Sequence, residues 1–271
     1  MTIKEVLKKY SSTEVELLLS HVLGKSKEFL YMNPESKLAT KQLSDLTGLI
    51  KRRQKGEPIA YILGYKDFCG LRFKVNRSVL IPRPETEWIV EHIGSSFLGQ
   101  ETARATKILD VGTGSGNIAI SLAKMLGASG FKFYASDSSK KALAVAKTNA
   151  KTHGAKIQFI QSSLFSKIKG AFDIVIANLP YVPKKIYDSR FEDLRYEPKL
   201  ALTDGTNRFV LYEEFFQQIY EHLNKKASIC LEIDPESKKL LAIWAKKNLP
   251  TAEIKFYRDL NNLWRYLIVK T

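Results

Sequence analysis

Apolar residues in the first 57 positions recur at helical spacing. Val6, Tyr10, Val15, Leu18, Leu19 and Val22 make one stripe, and Leu38, Leu43, Leu46, Leu49 and Ile50 a second. Recurrence at three and four residues marks amphipathic helices, and Ser11, Ser12 and Thr13 before Glu14 offer an N-cap. The period changes at 58–81, where Tyr61-Ile-Leu, Phe68, Leu71, Phe73, Val75, Val79, Leu80 and Ile81 are interrupted by Gly64, Gly70 and Asn76. That mixture predicts one or two β-hairpins. From residue 106, short β-prone runs alternate with helical segments. Strands are expected over 107–111, 131–136, 157–160, 173–177 and 227–233, and helices over 117–126, 139–153, 208–222 and 236–247. Two more strands, near 252–257 and 263–269, end the chain, and 184–200, rich in charge and tyrosine, reads as a loop. Alternating strands and helices specify a doubly wound α/β domain. The expected organisation is a helical N-terminal domain (1–57), a hairpin connector (58–81) and an α/β domain (82–271).

Composition narrows the classes. Over 271 residues, 44% hydrophobic and 26% charged content describes a soluble globular protein with ample core. No apolar run approaches a membrane span, and the opening Met-Thr-Ile-Lys-Glu-Val-Leu-Lys-Lys-Tyr does not read as a signal peptide. Cys69 and Cys230 lie far apart with no His or Cys at ligand spacing, so no metal is expected and a reducing cytoplasm fits. Lys and Arg exceed Asp and Glu by 43 − 28 = 15. Such a charge suits an acidic partner, nucleic acid or a nucleoprotein particle, and equally a surface solvated by lysine. The densest basic run, Lys51-Arg-Arg-Gln-Lys55, also suits a helix end, where cations complement the dipole.

Chemistry gathers in two stretches. Asp110-Val-Gly112-Thr113-Gly114-Ser115-Gly116 sits between a strand and a helix, and its glycines let the backbone turn sharply and approach a ligand. Asp137 ends the next strand, where a carboxylate can accept from two ribose hydroxyls. Dinucleotide and S-adenosylmethionine enzymes share that placement. The spacing here is G-x-G-x-G, not the G-x-G-x-x-G that aims a helix at pyrophosphate, and Asp110 suits a cationic methionine. S-adenosylmethionine is the expected cofactor.

The second stretch is Phe172-Asp-Ile-Val-Ile-Ala-Asn178-Leu179-Pro180-Tyr181, a buried strand running into a stiff turn. Asn178 offers one acceptor and two donors in a plane, Pro180 presents a carbonyl without a competing N–H, and Tyr181 an aromatic wall. Taken alone, these four residues also read as an ordinary Asn/Pro turn. Ahead of both stretches, Ile81-Pro-Arg83-Pro84-Glu85-Thr86-Glu87 holds Arg83 between two prolines and places Pro84 in a first helical turn.

Together, Asp110 to Gly116, Asp137 and Asn178-Leu-Pro-Tyr181 resemble a class I (Rossmann-like) methyltransferase bearing the (Asn/Asp)-Pro-Pro-Tyr signature of amide- and amino-nitrogen methylation. The Ile81-Pro-Arg-Pro-Glu-Thr-Glu87 stretch is similar to the HemK/PrmC family, the protein-(glutamine-N5) methyltransferases of peptide chain release factors. That resemblance implies a small helical N-terminal domain joined by a β-hairpin and a methyl transferred to the glutamine of a Gly-Gly-Gln motif. It implies that Asn178 and the Pro180 carbonyl hold the substrate amide, that Tyr181 and Leu179 pack against it, and that Arg83 supports the mouth. Ser163, Leu164 and Asn178 fall on the cofactor side, Ser163 where the family usually has Asp, and Leu179 stands where it usually has Pro. Glu232-Ile233 matches the family's Glu-Ile, and Arg265 its C-terminal arginine after Asp259. Asn262 occupies a glycine position, and Asn tolerates a left-handed backbone well. The alternative substrate is an exocyclic amine, as in N6-adenine or other nucleic-acid methylation, because an Asn-x-Pro-Tyr pocket suits that group too.

Overall fold

A computed structural model describes residues 1–97, 105–127, 129–206 and 208–271. The chain divides into two compact units, Met1–Tyr65 and Lys66–Thr271.

The first unit consists of α1 (Ile3–Tyr10), α2 (Thr13–Leu23), α3 (Lys27–Met32), α4 (Thr40–Gln54) and α5 (Ile59–Leu63). Val6, Leu18, Leu19, Leu30 and Leu46, all fully buried, form its core. Thr2 and Glu5 make a capping box at α1, and Ser12 caps α2. The basic end of α4 is partly neutralised within the unit, for Arg52 pairs with Glu57 and Arg53 with Glu14, each at 2.8 Å. Residues 59–63, expected in a hairpin, are helical. Pro58 opens the turn and Gly64, at φ +80°, closes it; one turn is too short for its apolar residues to show a helical period.

The second unit begins with the hairpin β1 (Tyr65–Phe68) and β2 (Leu71–Lys74), joined through Cys69 and Gly70 at φ +46° and +70°. Positive φ at both positions is the primed turn that matches strand twist. A 3-10 turn, Pro84–Thr86, leads into α6 (Glu87–Phe97). Next come β3 (Thr106–Val111), α7 (Asn117–Leu126), β4 (Phe131–Asp137), α8 (Lys140–His153), β5 (Ile157–Gln161) and β6 (Phe172–Ala177). The chain continues through α9 (Lys184–Ser189), α10 (Phe191–Leu194), α11 (Lys199–Leu202), α12 (Val210–Gln218), β7 (Leu223–Glu232), α13 (Lys238–Asn248), β8 (Glu253–Arg258) and β9 (Trp264–Lys270).

Seven strands make one sheet in the order β5-β4-β3-β6-β7-β9-β8. Pairing is parallel from β5 to β7, and β9 runs antiparallel to both of its neighbours. The sheet is packed on both faces. Leu109, Val175, Ile229 and Leu267 face the layer of α12 and α13, while Ile108, Ile174, Ile176 and Ile268 face that of α6 and α7. The order reverses at β3, with β4 on one side and β6 on the other, and Val111 pairs with Ala177. Such a reversal opens a crevice at the carboxyl ends of the strands, and here the residues that follow those ends are Gly112 and Asn178.

The stretch 184–200, expected as a loop, contains α9, α10 and the first half of α11. Each is four to six residues long, and Pro183 and Pro198 stand at two of their N-caps. Helices this short display no repeating stripe. The helix expected over 208–222 is α12 followed by a 3-10 turn, Ile219–His222.

Candidate active site

The glycine loop is built from backbone hydrogen bonds. Gly112, Gly114 and Gly116 have φ of +75°, +55° and +82°, a region that costs an L-residue about 1–2 kcal/mol. The amides of Gly112 and Thr113 both donate to the Ser136 carbonyl at 2.9 Å, tying the loop to the end of β4. Gly114 N–H donates to Asp137 Oδ2 at 2.9 Å, and Ser139 N–H to Oδ1 at 2.8 Å. At Gly116 space is tight as well, because a Cβ there would lie 2.8 Å from Ile120 Cδ1 and 3.2 Å from Ala146 Cβ. Asp110, 1% exposed, accepts from the Thr113 hydroxyl at 2.6 Å. Burial pushes its carboxyl up to about 7, against that hydrogen bond. Burial also raises the Asp137 carboxyl, opposed by the amides of Ser139 and Gly114.

A cavity of about 320 Å³ opens beside the loop, and Gly112, Gly114, Asp137, Ser163, Leu164 and Asn178 line it. These are six of the residues expected at the cofactor. Asp110, Thr113, Ser115 and Gly116 do not line it; they hold the loop from behind. Val79 and Leu80, from the segment after β2, supply apolar wall that sequence reading did not assign.

A second cavity, about 360 Å³, adjoins the first and is lined by Arg83, Tyr181 and Asp234 among others. Leu80, Asn178, Leu179 and Ala201 line both, and Pro180 the first. Leu179 is 4% exposed, and a Cβ on Gly112 would sit 3.3 Å from its Cδ2, so the side chain fills space beneath the glycine loop. Arg83 forms an ion pair with Glu197, a buried carboxylate whose other oxygen accepts the Ile81 amide at 3.2 Å.

Behind Asn178 lies a polar cluster. Asn178 Nδ2 donates to Thr86 Oγ1 at 3.3 Å, and the Thr86 hydroxyl donates to Glu232 Oε2 at 2.6 Å. The Tyr181 hydroxyl donates to Glu232 Oε1 at 3.0 Å. Tyr212 OH lies 2.5 Å from the Glu232 carbonyl and 3.2 Å from that of Leu179, joining the turn after β6 to the end of β7. Burial raises the Glu232 carboxyl, while Thr86, Tyr181 and Arg265 oppose the rise. Burial and the neighbouring Glu232 hold the Tyr181 hydroxyl far above its ordinary range, so it stays a donor. Thr86, Glu232, Tyr212 and Glu197 had no expected role. Thr86 and Glu232 stood within noted stretches, yet their contact spans 146 residues and leaves no local pattern. Among the described residues no cluster of His, Cys, Asp and Glu is arranged to hold a metal.

The arrangement is a cofactor-sized cleft that meets a second pocket along Leu80, Asn178, Leu179 and Ala201, of which Asn178 alone brings a polar side chain. The chain matches the PrmC N-terminal domain over residues 4–64 and the methyltransferase small domain over 90–231. It is 37% identical over 264 residues to the release factor glutamine methyltransferase of Chlorobaculum tepidum, covering 93% of this chain and 87% of that protein. With the enzyme of the same name from Lactococcus lactis subsp. lactis it shares 36% identity over 235 residues, 86% and 85% of the two chains. Among solved structures, a 16S rRNA N2 methyltransferase of T. Thermophilus in complex with AdoMet and guanosine superposes with a TM-score of 0.51 at 16% identity, over 76% of this chain and 49% of that one. The α/β unit has the class I methyltransferase fold, and the chain belongs to the release factor glutamine methyltransferase family.

Proposed function

We propose that this protein transfers a methyl group from S-adenosylmethionine to the side-chain amide nitrogen, N5, of the glutamine in the Gly-Gly-Gln motif of class I peptide chain release factors. The observation that carries the reading is the meeting of the two cavities at Asn178 and Leu179. A cofactor in one and a glutamine side chain in the other would face each other there. The cofactor side fits the group. Asp137 offers a carboxylate at the edge of the cleft, Gly112 and Gly114 admit close approach, and Leu80 and Leu164 give apolar wall for an adenine. When bound, S-adenosylmethionine supplies a methyl already activated on a sulfonium sulfur.

The task left to the protein is alignment, which can supply roughly 7–11 kcal/mol. An amide nitrogen is a poor nucleophile, since its lone pair is delocalised into the carbonyl. Asn178 Oδ1 and the Pro180 carbonyl would accept the two protons of the substrate NH₂ and turn its lone pair toward the methyl. They would also stabilise the positive charge that grows on nitrogen, an oxyanion hole with reversed sign. Glu232 is not free to act as a base, because each carboxylate oxygen already accepts a hydroxyl proton. The proton of the methylated nitrogen passes to water. The N-terminal unit would recognise the folded factor, and free Cys69 and Cys230 are compatible with a cytoplasmic setting.

The test is incubation of purified protein with labelled S-adenosylmethionine and, in parallel, release factor, tRNA and duplex DNA. Label on the factor alone supports the proposal. Label on nucleic acid replaces it with the exocyclic-amine reading.

A further inference from the structure

An asparagine amide has nearly the same shape when its oxygen and nitrogen are exchanged, so packing alone does not set which atom faces the reaction. At Asn178 the choice is made by the hydroxyl proton of its neighbour Thr86, which Glu232 holds. Thr86 is 2% exposed and Glu232 1%. The single hydroxyl proton of Thr86 goes to Glu232 Oε2 at 2.6 Å, a charge-assisted hydrogen bond. What Thr86 then presents to Asn178 is lone pairs only, so the amide must turn its NH₂ toward Thr86, as the 3.3 Å contact records. A flipped Asn178 would set its oxygen against the oxygen of the buried Thr86 hydroxyl. With the NH₂ so engaged, Oδ1 is left to the junction of the two cavities.

We propose that Thr86 and Glu232 are positioning residues that fix the amide orientation of Asn178, and with it the acceptor offered to the substrate nitrogen. The same carboxylate anchors Tyr181 through Oε1 at 3.0 Å, so one buried group orders both side chains of the Asn-Leu-Pro-Tyr turn. Thr86 reaches this place because Pro84–Thr86 forms a 3-10 turn against the end of β7. The Ile81-Pro-Arg-Pro-Glu-Thr-Glu87 stretch therefore serves the turn after β6 from a distance of 92 residues between Thr86 and Asn178. The relay rests on the methyl-transfer reading for its catalytic consequence, while the orientation itself is independent of any substrate.

Thr86→Val keeps the shape and removes the hydroxyl; Thr86→Ser keeps the hydroxyl. On release factor, the valine variant should lose tenfold or more in kcat, up to about 10²-fold for a misplaced group, with KM and S-adenosylmethionine affinity within about twofold of wild type. The serine variant should recover most of the loss. Glu232→Gln, whose amide must donate at one of the two hydroxyls, should fall similarly. The double variant should be no worse than the poorer single one, because both break one relay. A kcat loss under tenfold for Thr86→Val overturns the proposal. So does an equal loss in Thr86→Ser, or a parallel loss of cofactor affinity, since either marks a packing role.

A second readout needs no substrate and separates this proposal from the functional one. In protein labelled with ¹⁵N at asparagine, the Asn178 side-chain amide proton that faces Thr86 should exchange slowly in wild type and Thr86→Ser and rapidly in Thr86→Val. Equal exchange in all three overturns the relay even if the wild type methylates release factor. Slow exchange lost only in Thr86→Val, in a protein that does not methylate the factor, upholds the orientation and rejects the substrate.

Discussion

The Gly114 amide donates to Asp137 Oδ2 at 2.9 Å, so the carboxylate that ends β4 is anchored to the loop that leaves β3. Its other oxygen is held by the Ser139 amide, ahead of α8. Two backbone donors fix the direction in which this carboxylate meets the cofactor cavity. Asp137→Ala should weaken S-adenosylmethionine binding by about 1.5–3 kcal/mol, the worth of hydrogen bonds to a charged group. Titration calorimetry measures it, and unchanged affinity would remove Asp137 from the ribose.

In the proposed reaction Asn178 acts on the nucleophile. Asn178→Ala should lower kcat about 10²- to 10³-fold, as for one lost transition-state hydrogen bond, while cofactor affinity changes far less. Steady-state kinetics with calorimetry separates the two. Turnover near the wild-type rate would take Asn178 out of the chemistry.

Both residues were legible because each ends a strand. The run Lys107-Ile-Leu-Asp-Val, the glycine loop and the strand closing on Asp137 form a local βαβ pattern, and Asn178 follows β6 directly. Asn262 in a glycine position was legible too, and adopts φ +62° beside the 3.1 Å Arg265–Asp259 ion pair. The pieces that stayed hidden are tertiary or very short. Thr86 meets Glu232 only after the sheet has formed, and α5, α9 and α11 are helices of four to six residues opened by Pro58, Pro183 and Pro198. Nor did the pattern show that Thr113, Ser115 and Gly116 do not line the cavity, since the period of a turn does not reveal which side a ligand occupies.

Asp110 makes stability depend on pH. Its carboxyl rises from 3.8 to about 7 on folding, so the native state binds more protons than the unfolded chain between those values. Stability contributed by this group is full below about pH 4 and lost as pH rises through about 7. Asp110→Asn, which still accepts from Thr113, should gain on the wild type across that window and hold a constant advantage above it. Melting temperatures of both proteins from pH 4 to 8 test this; a gap that does not widen with pH contradicts it.

The excess of basic residues, +15, should steer association with an acidic partner. If so, the association rate with release factor falls steeply as salt shortens the Debye length from about 10 Å at 0.1 M to 3 Å at 1 M. Stopped-flow binding over that range gives the slope. A flat profile assigns the charge to a solvated lysine surface.

The position of the methyl group is the most direct test. Glutamine flanked by glycines is slim enough to enter a pocket walled by Tyr181 and Arg83, and glycine lets the surrounding backbone come close. Asparagine, one methylene shorter, would hold its nitrogen back from the methyl, a misplacement that costs about 10²-fold. The measurement is fragmentation mass spectrometry of a class I release factor after incubation with the protein and S-adenosylmethionine. The expected result is one added methyl on the side-chain nitrogen of the glutamine in Gly-Gly-Gln. A methyl on any other residue, or a factor left unmodified while nucleic acid is methylated, would contradict it.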